Sequence, residues 1–124
     1  MRQSILIAVA VTLALTPAAL AADNAPVLGK WESTTETPQR TFQVVFEFTE
    51  VDGDLKGTWR NPRGPNGELM NLSWDGETFS FERDIEAGGQ VFRLSYEATV
   101  DGDTMSGKVT TPRGERAFTA TRSS

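Results

Sequence analysis

Val51-Asp52-Gly53-Asp54 returns later in the chain as Val100-Asp101-Gly102-Asp103. Each copy continues with a glycine and then a Pro-Arg-Gly tripeptide: Gly57 and Pro62-Arg63-Gly64 in the first, Gly107 and Pro112-Arg113-Gly114 in the second. The offset between the copies is 50 residues at both ends and 49 at the Asp-Gly-Asp core. We therefore predict a two-copy internal pseudo-repeat of one supersecondary unit.

Apolar and polar residues alternate on both sides of each copy, which is the pattern of half-buried β-strands. Phe42, Val44, Phe46 and Phe48 lie on one face of the strand that leads into Asp52-Gly53. Asp-Gly is a strong hairpin signal, because glycine accepts the positive φ of a type I′ turn. The same pattern predicts eight short strands, at residues 29–34, 42–49, 55–60, 68–74, 78–85, 91–100, 105–109 and 115–122.

Eight strands joined by tight turns, with no amphipathic helix, predict an all-β fold. We expect an eight-stranded antiparallel up-and-down (meander) barrel, because closure removes exposed strand edges. Gly57 and Gly107 fall at matching positions of the repeat, where an inward glycine lets a strand bend. An open sandwich of two four-stranded halves is the alternative.

The first 21 residues have the features of a secretory signal peptide. Arg2 precedes an apolar run from Ile5 to Leu15, Pro17 ends that run, and Ala19-Leu20-Ala21 is an Ala-x-Ala cleavage signal. We therefore predict a signal peptide at 1–21, a leader at 22–28 and a lipocalin-like barrel domain at 29–124. The mature protein is expected to be periplasmic or extracellular, with no membrane-spanning segment.

Composition restricts the chemistry. The sequence contains no histidine and no cysteine, which excludes Ser-His-Asp and Cys-His catalysis and His or Cys zinc sites. A pair of carboxylates could serve a glycosidase. Glu47 and Glu97 occupy equivalent repeat positions, but both are expected on the outer face of the barrel. Without Arg2, 11 basic side chains face 17 acidic ones, a net charge of −6 that disfavours nucleic acid as a partner. We expect neither an enzyme nor a cofactor.

Loops of a meander alternate between the two ends of the barrel. The Asp-Gly turns at 52–53, 75–76 and 101–102 should share one end, called here the Asp-Gly end. The longer loops at 35–40, 61–67, 86–89 and 111–114 should share the other, called here the loop end, which carries Arg40, Arg63 and Arg113. The acidic turns could suggest calcium, but their spacing does not match an EF-hand loop. We expect ordinary hairpin turns and no metal site.

Eleven aromatic residues follow the predicted signal peptide, and alternation places most of them inside the barrel. An eight-stranded barrel is wide enough to be filled by side chains or to hold one small ligand. Arg63 and Arg113 could then flank the mouth of a cavity and meet a carboxylate or phosphate group. Alternatively, they could be ordinary solvated loop arginines beside Glu68 or Glu115. The candidate ligand-binding residues are Trp59, Trp74, Phe46, Phe81, Phe92, Arg63 and Arg113.

Gly29-Lys30-Trp31 on the first strand resembles the Gly-x-Trp opening of the calycins, the group that contains lipocalins and avidins. In lipocalins a late arginine packs across that tryptophan, and Arg122 is the matching position here. The chain has no Thr-Asp-Tyr motif, no recognisable biotin-binding motif and no helix after the barrel. It looks most like the short lipocalin-like barrels of secreted bacterial proteins, whose function is uncharacterised.

Two functions remain open on these observations. In the first, the barrel binds a small hydrophobic or amphipathic molecule in its aromatic interior, as the resemblance implies. In the second, the barrel is filled and acts through its surface, as an inhibitor, an accessory module or a structural protein of the envelope. A vacant interior would favour the first and a packed interior the second.

Overall fold

Nine antiparallel strands form one continuous sheet in the structure, a computed structural model that describes residues 23–123. The strands are β1 (Gly29–Glu36), β2 (Thr41–Val51), β3 (Asp54–Arg60), β4 (Asn66–Glu68), β5 (Met70–Trp74), β6 (Thr78–Ala87), β7 (Gln90–Asp101), β8 (Thr104–Thr111) and β9 (Gly114–Arg122). One 3-10 turn, Ala25–Val27, precedes β1. The predicted signal peptide, residues 1–21, lies outside the described residues. Within them, no helix has the length and apolar character to cross a bilayer.

The sheet forms a nearly closed barrel. The first and last strands along the chain, β1 and β9, pair with one another in the middle of the sheet. The order is β4-β3-β2-β1-β9-β8-β7-β6-β5, and Trp31 of β1 lies opposite Arg122 of β9. The two strands at the sheet margins, β4 and β5, are consecutive in the chain. The predicted antiparallel meander barrel is therefore confirmed in outline, and the open sandwich is not the arrangement.

The predicted number of strands, eight, was wrong by one, because the segment predicted as the fourth strand, 68–74, contains parts of two strands. β4 pairs with β3, whereas β5 pairs with β6. Leu69 stands between them, and its N–H donates to the Gly57 carbonyl (2.9 Å). Asn71 has a positive φ of 52°, and the register of β5 shifts between Met70 and Ser73. The chain thus changes neighbours at the barrel seam.

Both repeat glycines occupy sites without room for a side chain, but for different reasons. A Cβ on Gly57 would lie 2.8 Å from Leu69 Cδ1 and 3.0 Å from Phe48 Cδ1, so this glycine makes space for the core at the seam. A Cβ on Gly107 would lie 2.0 Å from the Glu97 carbonyl oxygen, so here the backbone of β7 is the obstacle.

The 49-residue offset at the Asp-Gly-Asp core changes the turn rather than the strand register. Asp52 (φ 53°) and Gly53 (φ 86°) are the two residues between the pair formed by Val51 and Asp54, as in a type I′ hairpin. In the second copy Asp101 pairs with Thr104, so the turn residues are 102–103 rather than the predicted 101–102. There only Gly102 has a positive φ, of 63°.

Buried side chains from every strand except β4 and β5 fill the barrel interior, and Leu69 adds to them at the seam. Five aromatic rings contact one another in the middle: Phe46, Phe48, Phe79, Phe81 and Tyr96. Ring centroids lie 4.7 Å apart for Phe48 and Phe79, with the planes at 71°, a favourable edge-to-face arrangement. This central part of the interior is packed rather than vacant.

Candidate functional site

The pairings confirm that the loops alternate between the two ends. Turns 52–53, 75–77 and 102–103 lie at the Asp-Gly end, and connections 37–40, 61–65, 88–89 and 112–113 lie at the loop end. The expectation that all loop-end connections are long was wrong. Those at 88–89 and 112–113 are two-residue hairpins, because Gly88, Gly89 and Gly114 adopt positive φ.

The N-terminal segment seals the Asp-Gly end. Val27, inside the segment predicted as a leader, is fully buried, and its carbonyl accepts a hydrogen bond from Trp31 Nε1 (3.0 Å). Asn24 Nδ2 donates to the Gly53 carbonyl (3.3 Å), and Trp74 Nε1 donates to the Asp23 carbonyl (2.9 Å). These contacts join the segment to β1, to the β2–β3 turn and to β5.

Arg122 completes this seal, and it makes the contact that the resemblance implied. Its Cζ lies 4.3 Å from the centroid of the Trp31 ring. The guanidinium donates to the carbonyls of Leu28, Pro26 (2.7 Å) and Gly102 (3.2 Å), and to Asp103 Oδ1 (3.0 Å). All three nitrogens of Arg122 therefore have acceptors.

A second arginine, Arg83, lies inside the barrel nearer the loop end. Only 7% of it is exposed, and its Cζ lies 4.6 Å from the centroid of the Trp59 ring. Arg83 Nε donates to the Tyr96 hydroxyl oxygen (3.0 Å). Arg83 Nη1 is buried and has no hydrogen-bond partner. Such an orphaned donor is uncommon in folded proteins and calls for an explanation.

Burial raises the pKa of the Tyr96 hydroxyl, and the charge and hydrogen bond of Arg83 oppose that shift. Tyr96 therefore remains protonated at neutral pH. Its oxygen accepts from Arg83 Nε, so its own O–H remains able to donate to a further group.

Above Arg83, four inward-facing side chains surround the opening at the loop end, and we call them the mouth: Phe42, Ile85, Phe92 and Arg116. Phe42 is 45% exposed, and the other three are half-buried. Ile85 and Phe92 are paired across β6 and β7. Arg116 is in phase with the buried Phe118 and lies opposite Val109, which lies opposite Tyr96.

Two surface concavities flank the barrel. One, of about 640 Å³, adjoins the mouth between the β1–β2 and β3–β4 loops and includes Arg40, Phe42, Arg63 and Pro65. The other, of about 700 Å³, follows the seam between β3 and β5 and includes Leu55 and Leu72. The first concavity borders the mouth at Phe42, which belongs to both.

The structure separates the predicted ligand-binding residues into several groups. Phe46 and Phe81 are buried in the central packing, and Trp59 covers Arg83. Phe92 lies at the mouth and Arg63 at its flank. Trp74 stands at the opposite, Asp-Gly end. Arg113 lies in the β8–β9 hairpin, whereas Arg63 lies in the β3–β4 loop. In the sheet, β1 and β2 separate β9 from β3. No single cavity lined by all seven is present in the described part of the chain.

Sequence analysis missed Arg83 and Arg116, although the alternation contained the signal. Arg83 follows Phe79 and Phe81 at the same two-residue period, and Arg116 precedes Phe118 in phase. A charged residue in phase with an apolar face is either at the strand end or buried for a reason.

No protein-family model matches the chain, and no curated protein matches it. Two solved structures are similar to it. A redesigned β-barrel shares 14% identity with a TM-score of 0.57, covering 85% of this chain and 98% of its own. Secretory abundant heat soluble protein 4 from Ramazzottius varieornatus shares 17% identity with a TM-score of 0.48, covering 80% and 96%. At 14% identity, the likeness to the redesigned β-barrel supports the fold alone.

Proposed function

We propose that this protein is a non-enzymatic, exported β-barrel that binds a small amphipathic molecule through its mouth. The observation that carries the proposal is the apolar surface left open there. Phe42, Ile85 and Phe92 point inward and remain solvent-accessible, directly above the buried aromatic core. Apolar side chains grouped around a concave opening are typical of binding sites for small molecules.

Export and the lack of catalytic activity are parts of the same proposal. Export rests on the apolar run and Ala-x-Ala signal within residues 1–21. The lack of activity rests on a sequence without histidine or cysteine. Carboxylates on the inner face near the mouth would favour an enzyme, but the charged residues there are Arg83 and Arg116.

The ligand occupies the upper part of the barrel rather than its middle. The rings of Phe46, Phe48 and Phe79 are in contact, so the central core leaves no room for a second apolar group. The ligand is therefore held at the mouth, beside the concavity that Phe42 borders.

Binding of a neutral fluorescent probe, N-phenyl-1-naphthylamine, tests the proposal. We expect saturable binding with one site per chain, weakened roughly tenfold by Phe92→Ser, since about 1.4 kcal/mol of lost apolar contact corresponds to that factor. Val91→Ser is the matched control, because Val91 is adjacent to Phe92 but faces outward and is 61% exposed. Absence of saturable binding, or equal effects of the two substitutions, would refute the proposal.

A filled barrel that acts through its surface is the second candidate, and the packed aromatic centre favours it. The same titration separates the candidates. Probe binding that depends on Phe92 supports the first, and failure to bind any apolar probe supports the second.

A further inference from the structure

Arg83 is a buried cation without a counterion, and that is the most unusual feature of the described residues. The ion pairs among them join Arg93 to Glu82 and Asp84, Lys108 to Glu115, and Arg122 to Asp103. None involves Arg83. Its strand neighbours Glu82 and Asp84 face outward, where Arg93 meets both. Alternation along β6 keeps those carboxylates on the opposite face of the sheet.

The fold does not need a charge at this position. Phe79, Phe81 and Ile85 hold the other inward positions of β6, and an apolar side chain at 83 would continue that pattern. Leaving a buried charge unpaired is destabilising, whereas an apolar replacement of similar size is often neutral or stabilising. The presence of an arginine is therefore better explained by something that it binds.

From these observations, and resting on the proposed function, we infer that the ligand carries an acidic head group, a carboxylate on an apolar chain, which Arg83 and Tyr96 bind. Two donors are unused here: Arg83 Nη1, which is buried without a partner, and the O–H of Tyr96, whose oxygen accepts from Arg83 Nε (3.0 Å). A carboxylate accepts two such donors at once.

The surroundings hold the guanidinium in place before the ligand arrives. Trp59 lies against its face at 4.6 Å, and the bond to Tyr96 fixes the orientation of the fork. An arginine that is oriented in advance loses little side-chain freedom on binding, which favours affinity. Trp59 in turn depends on Gly67, where a Cβ would lie 2.8 Å from its Nε1.

Arginine side chains cluster around the mouth and the concavity beside it. Arg116 is half-buried at the mouth, and Arg40 and Arg63 border the adjoining concavity. The Asp-Gly end carries acidic turn residues such as Asp52, Asp75 and Asp103. Although the protein has a net negative charge, these arginines place positive charge beside the mouth, which would favour an anion there. The chain of the ligand then lies against Phe92 and Ile85.

Binding of three ligands with the same twelve-carbon chain tests this inference: dodecanoate, dodecanol and dodecyltrimethylammonium. With calorimetry or probe displacement we expect dodecanoate to bind at least tenfold more tightly than dodecanol, and the cation to bind most weakly. Arg83→Met should remove the preference for the acid while leaving the binding of dodecanol unchanged. Arg60→Met is the control, because Arg60 is exposed on the outer face of β3, next to Trp59.

The outcomes separate this inference from the proposed function. Equal affinity for dodecanoate and dodecanol, or a preference for the acid that survives Arg83→Met, would contradict an acidic head group bound by Arg83. The proposed function would then stand with a neutral ligand. Failure of all three ligands to bind overturns both. If Arg83→Met does not fold, Tyr96→Phe removes one of the two donors alone. We expect Tyr96→Phe to weaken the binding of dodecanoate severalfold and to leave the binding of dodecanol unchanged. Equal effects on the two affinities would contradict the inference.

Discussion

The barrel contains two arginine–tryptophan pairs, one toward each end, and they differ in how the arginine is used. Arg122 lies 4.3 Å from the Trp31 ring, and each of its three nitrogens has an acceptor. Arg83 lies 4.6 Å from the Trp59 ring, and its Nη1 has no acceptor. The same pairing of cation and indole thus closes the barrel at the Asp-Gly end and leaves a donor unused near the loop end.

The covering of the two ends explains the difference. Ala25–Val27 lies over the Asp-Gly end and supplies the backbone carbonyls that Arg122 needs. At the loop end the described residues include no equivalent segment, and Phe42 and Phe92 remain accessible. The Asp-Gly end is thus closed by satisfied hydrogen bonds, whereas near the loop end Arg83 Nη1 is buried without an acceptor.

The largest expected effect separates the packed centre of the barrel from the mouth by the same substitution. Phe48→Ala should lower the free energy of unfolding by about 3–5 kcal/mol, because Phe48 is 1% exposed and its removal leaves a cavity. Phe42→Ala, at the mouth, should change it by only about 0.5 kcal/mol, since Phe42 is 45% exposed. Urea unfolding of both variants checks this. Equal losses of unfolding free energy would contradict the difference between the packed centre and the open mouth.

The two arginines give the next largest contrast. Arg122→Met should lower the free energy of unfolding by about 2–3 kcal/mol, because it removes charged hydrogen bonds to backbone carbonyls and the packing against Trp31. Arg83→Met should leave it unchanged or raise it by about 1 kcal/mol, because a buried unpaired charge is removed. Chemical unfolding of the ligand-free variants measures both. A loss at Arg83→Met as large as at Arg122→Met would make Arg83 a structural residue.

Tyr96 provides a smaller, spectroscopic contrast, because it is the single tyrosine of the chain. Its pKa is raised above the ordinary 10.0 by burial, so tyrosinate absorbance should develop at higher pH in the folded than in the urea-unfolded protein. Above about pH 10 the unfolded state releases this proton first, so the free energy of unfolding should fall as pH rises through the folded pKa. Coincident titration curves for the two states would contradict a buried hydroxyl.

The smallest effect concerns a turn at the Asp-Gly end. Asp75 Oδ1 accepts from the backbone N–H of Thr78 (2.7 Å) and of Glu77 (2.8 Å), which lowers the pKa of this carboxyl below 3.8. Stability from this group is present above its unfolded pKa and is lost as pH falls through the folded value. Asp75→Asn should therefore reduce the acid dependence of thermal unfolding slightly. Asp52→Asn is the control, since its carboxylate makes no hydrogen bond among the described residues. Identical acid dependence in wild type and Asp75→Asn would contradict this role.

Alternation in the sequence was sufficient to predict the strands and the meander, because it reports which face of each strand is buried. It did not predict the break at Leu69, since the alternation of Met70, Leu72 and Trp74 after it gives no sign that the chain has changed its pairing partner. Pairing partners depend on closure of the whole sheet. The pattern within one strand carries no information about that.

The candidate site was predicted less well than the fold. The sequence placed Trp59 and Trp74 in one cavity, but the register puts them near opposite ends of the barrel. Arg83 was overlooked because a single arginine in phase with phenylalanines is usually a strand end. Only the positions of Tyr96 and Trp59 around it reveal an unpaired buried donor.

The three indole N–H groups allow the central claim to be tested in one experiment, since the chain has three tryptophans. Trp59 contacts Arg83, whereas Trp31 and Trp74 donate to backbone carbonyls at the Asp-Gly end. In a ¹H–¹⁵N NMR titration with dodecanoate, we predict that the Trp59 indole signal shifts saturably and that the other two stay in place. Shifts of Trp31 or Trp74 equal to that of Trp59, or no shift of Trp59 at saturation, would contradict an acid-binding site at the loop end.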